Sequence, residues 1–379
     1  MRQSSSVALG ELLARAEEPT VLTADGEYHE VTIRLWGKGV ISRRKVRGGD
    51  VTTTRRFVRA NQLILSKIDA RNGAIGIVPP ELDGAIVSND FPSFAFSDPN
   101  RCDPAYMGWL VRSTTFVELC KAASEGTTNR VRIKEDRFLA QEIPLPPLVE
   151  QHAIVAHLDA LTDKTRQLSS HLGAIEVDAQ HLLALRFRDA VADATYRALG
   201  EVAPTVRRPV ILDPSSRYCE IGARSFGKGL FAKPDFDAAE ATWQKPVWIE
   251  ANDLVFSNIK AWEGAIALAR DEHGGCIASH RYITCVPDHT RLLGPFLLYY
   301  LLSDEGLEKV GNASPGTADR NRTLSLGNLA KIEVPVPSIA IQQAFVALQA
   351  RVHALKARHT AIRAASAALL PATLERLFA

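Results

Sequence analysis

FVRANQLILSKIDARNGAIG, residues 57–76, and WIEANDLVFSNIKAWEGAIA, residues 248–267, are two versions of one segment. Nine of the twenty aligned positions are identical, among them Ala60/Ala251, Asn61/Asn252, Ser66/Ser257 and Gly73/Gly264. The match extends outward on both sides. Upstream, Ala8-Leu9-Gly10-Glu11 recurs as Ala198-Leu199-Gly200-Glu201, Tyr28 as Tyr218, Arg34 as Arg224, and Gly37-Lys38-Gly39 as Gly227-Lys228-Gly229. Downstream, Gly126-Thr127 and Arg130 recur as Gly316-Thr317 and Arg320, and IPLPP (143–147) as VPVPS (334–338). A period of about 190 residues is a whole domain with its connector, not a short solenoid repeat. The expected object is a tandem pseudo-dimer, presenting two similar surfaces about an approximate two-fold axis.

With 379 residues, 46% of them hydrophobic, the chain is long enough for two cores. The formal charge is only +2, but its distribution is uneven. Between Arg34 and Arg71 eleven Lys and Arg face only Asp50 and Asp69, whereas the equivalent stretch 224–262 carries five basic and five acidic residues. A basic run in a duplicated module points to a polyanion partner. The five cysteines form no C-x-x-C pair and are odd in number, so neither a zinc site nor a disulfide framework is expected. A reducing cytoplasm fits this usage. No stretch approaches the ~18 apolar residues of a membrane span, so no membrane partner is expected.

After each Pro-punctuated strand the apolar spacing changes to a heptad. Ile154, Leu158, Leu161, Thr165, Leu168, Leu172, Ile175, Ala179 and Leu182 alternate steps of four and three. Phe345, Leu348, Val352, Leu355, His359, Ile362, Ser366, Leu369 and Thr373 do the same. Pro144, Pro146 and Pro147, and likewise Pro335 and Pro337, force an extended lead-in. The first helix should run for ~40 residues, while Pro371 should break the second after ~30. The predicted fold class is therefore α+β: two similar globular domains in tandem, separated by two long helices packed as an antiparallel coiled coil. The expected boundaries are 1–146 for the first module, 147–193 for the first helix, 194–337 for the second module and 338–379 for the second helix.

Three polar elements recur in both modules. The Gly-Lys-Gly turns let backbone approach a ligand closely and carry Lys38 and Lys228. Ser66-Lys67 and Ser257-Asn258 set a hydroxyl beside a long or amide donor. The loops GTTNRVR (126–132) and GTADRNR (316–322) supply Asn129, Arg130 and Arg132, and Asp319, Arg320 and Arg322. Arg and Asn read guanine and adenine edges bidentately, and Arg, Lys, Ser and Thr serve phosphates. With Arg43, Arg44, Lys45, Arg47, Arg55 and Arg56 as phosphate ligands, these residues make up the candidate surface for double-stranded DNA. Each element alone also reads as a turn or a helix cap; their repetition favours the ligand. Enzymatic signatures are missing: neither Gly-Lys-Gly continues as a phosphate loop, and no G-x-S-x-G elbow or H-E-x-x-H occurs. No cofactor, metal or catalytic residue is expected. The competing readings are a coiled-coil scaffold, a DNA-binding protein outside a restriction system, and an active nuclease or methyltransferase.

The segments IPLPPLVEQHAIVAHLDAL (143–161) and VPVPSIAIQQAFVALQARV (334–352) each follow a module ordered Gly-Lys-Gly, Asn-x-Leu-x-x-Ser, Gly-Thr-x-x-Arg. In this the whole chain resembles the specificity subunits of type I restriction–modification enzymes. The resemblance implies two target-recognition domains that read a bipartite, asymmetric DNA target. It also implies two DNA methyltransferase subunits as partners, held through Glu150, Gln151, Gln342 and Gln343, and motor/endonuclease subunits that complete a phage-defence complex. The second segment has Ile341-Gln342 where the first has Glu150-Gln151, so the two methyltransferase contacts are expected to be unequal.

Overall fold

A computed structural model describes residues 5–378 apart from residues 17, 19, 127–130, 235, 241–244 and 317–321. It divides into two compact units, residues 1–173 with 359–379, and residues 174–358. Each unit holds one module together with one half of each long helix.

In the first unit a four-stranded antiparallel sheet runs in the order Leu13–Arg15, Ser93–Phe96, Leu63–Leu65, Ile75–Ile77. In the second unit the order Thr205–Val206, Tyr282–Cys285, Leu254–Ser257, Ile266–Leu268 repeats it. Both quoted segments thus supply the two strands at one side of a sheet, and their apolar triplets are buried on both faces. Each module closes on a two-stranded ribbon. Ser5–Ala8 pairs with Glu142–Leu145, and Thr195–Ala198 pairs with Glu333–Val336. Pro144 lies opposite Ser6 and Pro335 opposite Tyr196; a ribbon of two strands has only edges, where a residue without an N–H is tolerated.

The duplication is written into the backbone as well. Every described residue with left-handed φ pairs with its counterpart: Trp36/Phe226, Gly37/Gly227, Gly39/Gly229, Asn61/Asn252, Gly73/Gly264, Gly84/Gly275 and Gly126/Gly316. The second sheets differ. Module one has a continuous one, Val40–Arg47, Glu27–Ile33, Ala85–Val87, Arg56–Val58, whereas module two has three separate pairs of short strands. There Cys219 and Cys276 are joined in a disulfide with Cα atoms 4.8 Å apart, contrary to the expectation from cysteine spacing. Their counterparts in the repeat, His29 and Ala85, lie on strands of module one that pair directly, Glu30 beside Ile86. Module two keeps the equivalent parallel bridge, Glu220 beside Ile277, and the covalent link stands directly next to it. Cys102, Cys120 and Cys285 are buried thiols, pushed up to about 12 by burial.

The long helices run Leu148–Val191 and Ile339–Phe378, so the second passes through Pro371 without breaking. Its last turns explain why. Leu374 and Phe378 are buried in the core of module one beside Leu158, with Leu370 and Leu377 packed against it, and the Phe378 ring meets Tyr106 at 5.7 Å. Burying two such side chains is worth ~3–6 kcal/mol, enough to outweigh the ~3 kcal/mol that proline costs within a helix. In this unit the start of one helix lies beside the end of the other, hence antiparallel. The second unit shows the converse: Leu183 and Phe187, late in the first helix, share a core with Phe345 and Val352, early in the second. Phe187 packs 5.2 Å from Phe345 and 5.1 Å from Phe296.

The heptad holds only in part, and Leu168 in the first helix is already 37% exposed. Leu158, Leu172, Val352 and His359 are buried as expected, but Ile175 and Leu182 are 46% and 43% exposed, and Ile362 and Leu369 37% and 50%. Their places go to buried Leu183 and to half-buried Glu176, Arg363 and Leu370. A helix with 3.6 residues per turn drifts from a 3.5-residue repeat, so the packed stripe moves one residue on after several turns. No described helix is long and apolar enough to cross a membrane.

Candidate nucleic-acid interface

In each module the Gly-Lys-Gly turn and the residue just after the Thr/Arg loop are bonded to the turn that follows the Asn-x-Leu strand. In module one Trp36 and Gly37 donate their N–H groups to the carbonyls of Asn72 and Gly73, both at 3.0 Å. Lys67 N–H donates to Asp90, and the Lys67 carbonyl accepts from Ile133, just past the 126–132 loop. Module two repeats the arrangement. Phe226 and Gly227 donate to Glu263 and Gly264, Asn258 donates to Arg281, and Leu324 donates to Asn258. Residues 66–73 and 257–264 are thus the hubs that tie the Gly-Lys-Gly turn to Ile133 and Leu324, the residues that follow the two Thr/Arg loops. Gly73 and Gly264, at φ +76° and +78°, are required there, because a Cβ on Gly73 would stand 3.0 Å from the Trp36 backbone.

Around these hubs the side chains have different duties. Lys38 and Lys228 are exposed. Ser66 and Ser257 are buried, and Ser66 Oγ accepts from the Asp69 N–H at 3.2 Å; they shape the turn and are not available as phosphate ligands. Lys67 is held by Glu135 at 2.8 Å. Burial acts upward on that carboxyl, but Lys67 and Arg15 carry it below the ordinary value. Asn258 Oδ1 is buried with no hydrogen-bond partner. Arg132 pairs with Asp90 at 2.9 Å while remaining half exposed. Arg322 donates to the carbonyl of Gly311 at 2.9 Å, at the end of the helix Asp304–Asn312. Its guanidinium also lies 4.9 Å over the Trp262 ring, so it caps a helix rather than reaching for a base. Asn129, Arg130, Asp319 and Arg320 lie outside the described residues.

The basic run of module one is less free than its sequence suggested. Arg44 and Arg55 both hold Glu30, at 2.7 and 2.8 Å, and Lys45 holds Glu27 at 3.0 Å. Arg59 pairs with Glu18. These glutamates sit just outside the stretch whose charges were counted, and strand pairing brings Glu27 and Glu30 across from the basic strand. Arg44, with Arg55 and against burial, holds the Glu30 carboxyl below its ordinary value. Arg43 and Arg47 are exposed on the same strand, and Arg56 is half-buried.

Sequence reading missed the role of the glutamines. Gln151 and Gln342 are fully buried in the first turn of each long helix. Gln151 donates to the carbonyls of Arg101 and Pro146 and accepts from the Asp103 N–H, each at 2.9 Å. Gln342 does the same with Arg291, Pro337 and Leu293 at 2.8–2.9 Å. They weld each helix to its own module, and their amides have nothing left for a partner; Glu150 and Gln343 are exposed. Their shared position after a Pro-x-Pro strand was the available signal. No group of His, Cys, Asp and Glu able to hold a metal occurs among the described residues.

Residues 18–176 match the family model described as "Type I restriction modification DNA specificity domain". No curated protein matches the chain. Among solved structures it is similar to the HsdS subunit from Thermoanaerobacter tengcongensis, at 20% identity and TM-score 0.67 over 100% of this chain and 97% of that one. It is also similar to a chain from work on complex assembly and conformational transition of the type I R-M system, at 20% identity and TM-score 0.70 over 99% and 97%. At such identity these likenesses establish the fold alone, and the domain match lies within the first module and the start of the first long helix. Residues 18–176 thus carry the match to a type I restriction modification DNA specificity domain, and the chain as a whole shares the fold of the HsdS subunit it is similar to.

Proposed function

We propose that modules 1–146 and 194–337 are two target-recognition domains, each reading one half of a bipartite, asymmetric DNA target. On this reading 147–193 and 338–379 are the spacer helices that set the gap and carry two methyltransferase subunits, which supply adenine methylation. Motor/endonuclease subunits join for restriction, and the chain itself performs no chemistry. The observation that carries the reading is that, in both modules, the Gly-Lys-Gly turn and the residue that follows the Thr/Arg loop are bonded to one hub. The hubs are alike in backbone and unlike in side chain, Lys67 against Asn258 and Arg71 against Trp262, as two modules reading different bases require. Base contacts are assigned to Asn129, Arg130 and Arg132 for one half-site and to Asp319 and Arg320 for the other, with Lys38 and Lys228 on phosphates. Support for partner docking comes from apolar side chains on the outer faces of the helices: Val149, 82% exposed, and Leu185 on the first, Ile341 on the second. Glu150 and Gln343 stand beside them as candidate partner contacts.

The test is to express the chain with its methyltransferase partner and S-adenosylmethionine and to sequence the methylated positions. Two unlike half-sites at a fixed gap are expected. Arg130→Ala should relax one half-site, by the ~1–3 kcal/mol of a lost bidentate contact, and leave the other intact. A single contiguous site, or equal weakening toward every sequence, overturns the assignment.

A further inference from the structure

Each module holds a large aromatic side chain in solvent on a left-handed residue, at the same place in the repeat. Trp36 has φ +61° and Phe226 φ +62°, and they are 68% and 75% exposed. A bulky residue in this conformation is rare and costs energy that glycine would avoid, and exposure of the ring adds to that cost. Nothing in folding asks for either. Such strain persists where a function uses it.

The surroundings hold the ring in place. The N–H of each aromatic and of the following glycine is tied to the hub turn, and the other side of the turn is docked. A Cβ on Gly37 would lie 2.7 Å from Arg112 Cγ, and one on Gly227 would lie 2.8 Å from a Leu302 methyl. Arg112 is itself stacked 4.2 Å over Trp109, whose indole donates to Asp159 at 3.0 Å. The ring is therefore presented by a fixed backbone, so little entropy is lost when it meets a ligand.

The chemistry around the rings is cationic. Lys38 and Lys228 follow two residues later, and Lys228 Nζ lies 5.7 Å from the centre of the Phe226 ring. On the hub beneath Phe226, Trp262 carries Arg322 at 4.9 Å and Lys260 at 5.2 Å. A rigid aromatic flanked by ammonium groups suits a stacked, anionic polymer; an apolar protein groove would leave those charges unpaired.

We propose that Trp36 and Phe226 are stacking wedges, each inserting against the base stack of its own half-site while Lys38 and Lys228 hold the adjacent phosphates. The wedge unstacks or kinks one base step and gives each module a contact that fixes its register without reading a particular base. This inference rests on the DNA-recognition reading above and adds residues to it.

The experiment uses the full chain with its methyltransferase partner and a duplex carrying the methylated sequence, with 2-aminopurine placed in turn through each half-site. Wild type should raise 2-aminopurine emission at one step per half-site. Trp36→Gly should abolish that signal in one half-site and weaken binding about tenfold to a hundredfold, the size of one lost base–aromatic stack. Its melting temperature should hold or rise, since glycine relieves the strain. Trp36→Phe should restore binding, and Phe226→Gly should act on the other half-site alone. Unchanged affinity and emission in Trp36→Gly overturn the wedge and leave the recognition reading standing. Loss of methyltransferase co-purification with intact DNA binding also overturns it, assigning the turn to a protein contact. Failure of wild type to select any duplex overturns both readings.

Discussion

Gln151 and Gln342 are buried where each long helix leaves its module, so the stability of that junction depends on their hydrogen bonds. Gln151→Ala leaves the Asp103 N–H and two carbonyls without their partner, which should cost ~1–3 kcal/mol. Gln342→Ala should cost a similar amount in the other unit, while Glu150→Ala and Gln343→Ala should lie within ~0.5 kcal/mol of wild type; denaturant unfolding measures all four. Sequence shows that a residue is polar and repeated, not which way it faces, so the glutamines and Ser66 passed for surface ligands. Asn61 and Asn252, and the glycines of the Gly-Lys-Gly turns, were legible because left-handed backbone restricts residue choice directly. Glu30 gives a test with a definite sign. Its carboxyl is held below the ordinary value by Arg44 and Arg55, so its stabilising effect is complete above the unfolded-state value of ~4.3 and is lost as pH falls through the folded-state value. Glu30→Gln should remove that acid-side loss from the unfolding profile of module one. A profile of unchanged shape would reject the pairing.

At the scale of elements, the Pro-x-Pro strands, the helices after them and the Asn-x-Leu strand were all visible in the pattern. The end of the second helix was not, because local propensity marks Pro371 as a stop while the contacts that override it lie more than two hundred residues away, at Tyr106 and Leu158. Since Pro371 is exposed, Pro371→Ala should raise stability by ~2 kcal/mol, the propensity gain less the looser unfolded chain. Phe378→Ala should cost ~3–5 kcal/mol and open module one to protease while the unit 174–358 stays resistant. Similarly, Leu183→Ala should destabilise by ~2–5 kcal/mol and Leu182→Ala far less, although the heptad ranks them the other way. Thermal melts of the pair decide whether the packed stripe has moved by one residue.

Over the whole molecule, the duplication was plain from two twenty-residue segments, and so was the presence of two modules. The sharing of both long helices between the two units was not, since a repeat in sequence suggests units that are continuous in sequence. The charge distribution is a further case in which three dimensions alter the count. Arg43→Ala and Arg47→Ala, at exposed positions, should each flatten the salt dependence of DNA binding by ~0.9. Arg55→Ala should lower stability with the slope unchanged, because its guanidinium is committed to Glu30. Equal slopes in all three variants would remove the phosphate role from this strand. The interleaving of the units also has a temporal side. Val7 and Phe378 belong to one core, so the module made first is completed by residues synthesised only after the whole of its twin. Until then it must wait with an open apolar seat through the synthesis and folding of its twin. A nascent chain halted anywhere in the second module therefore has both cores unfinished, and the open apolar seat of the first marks it for proteolysis.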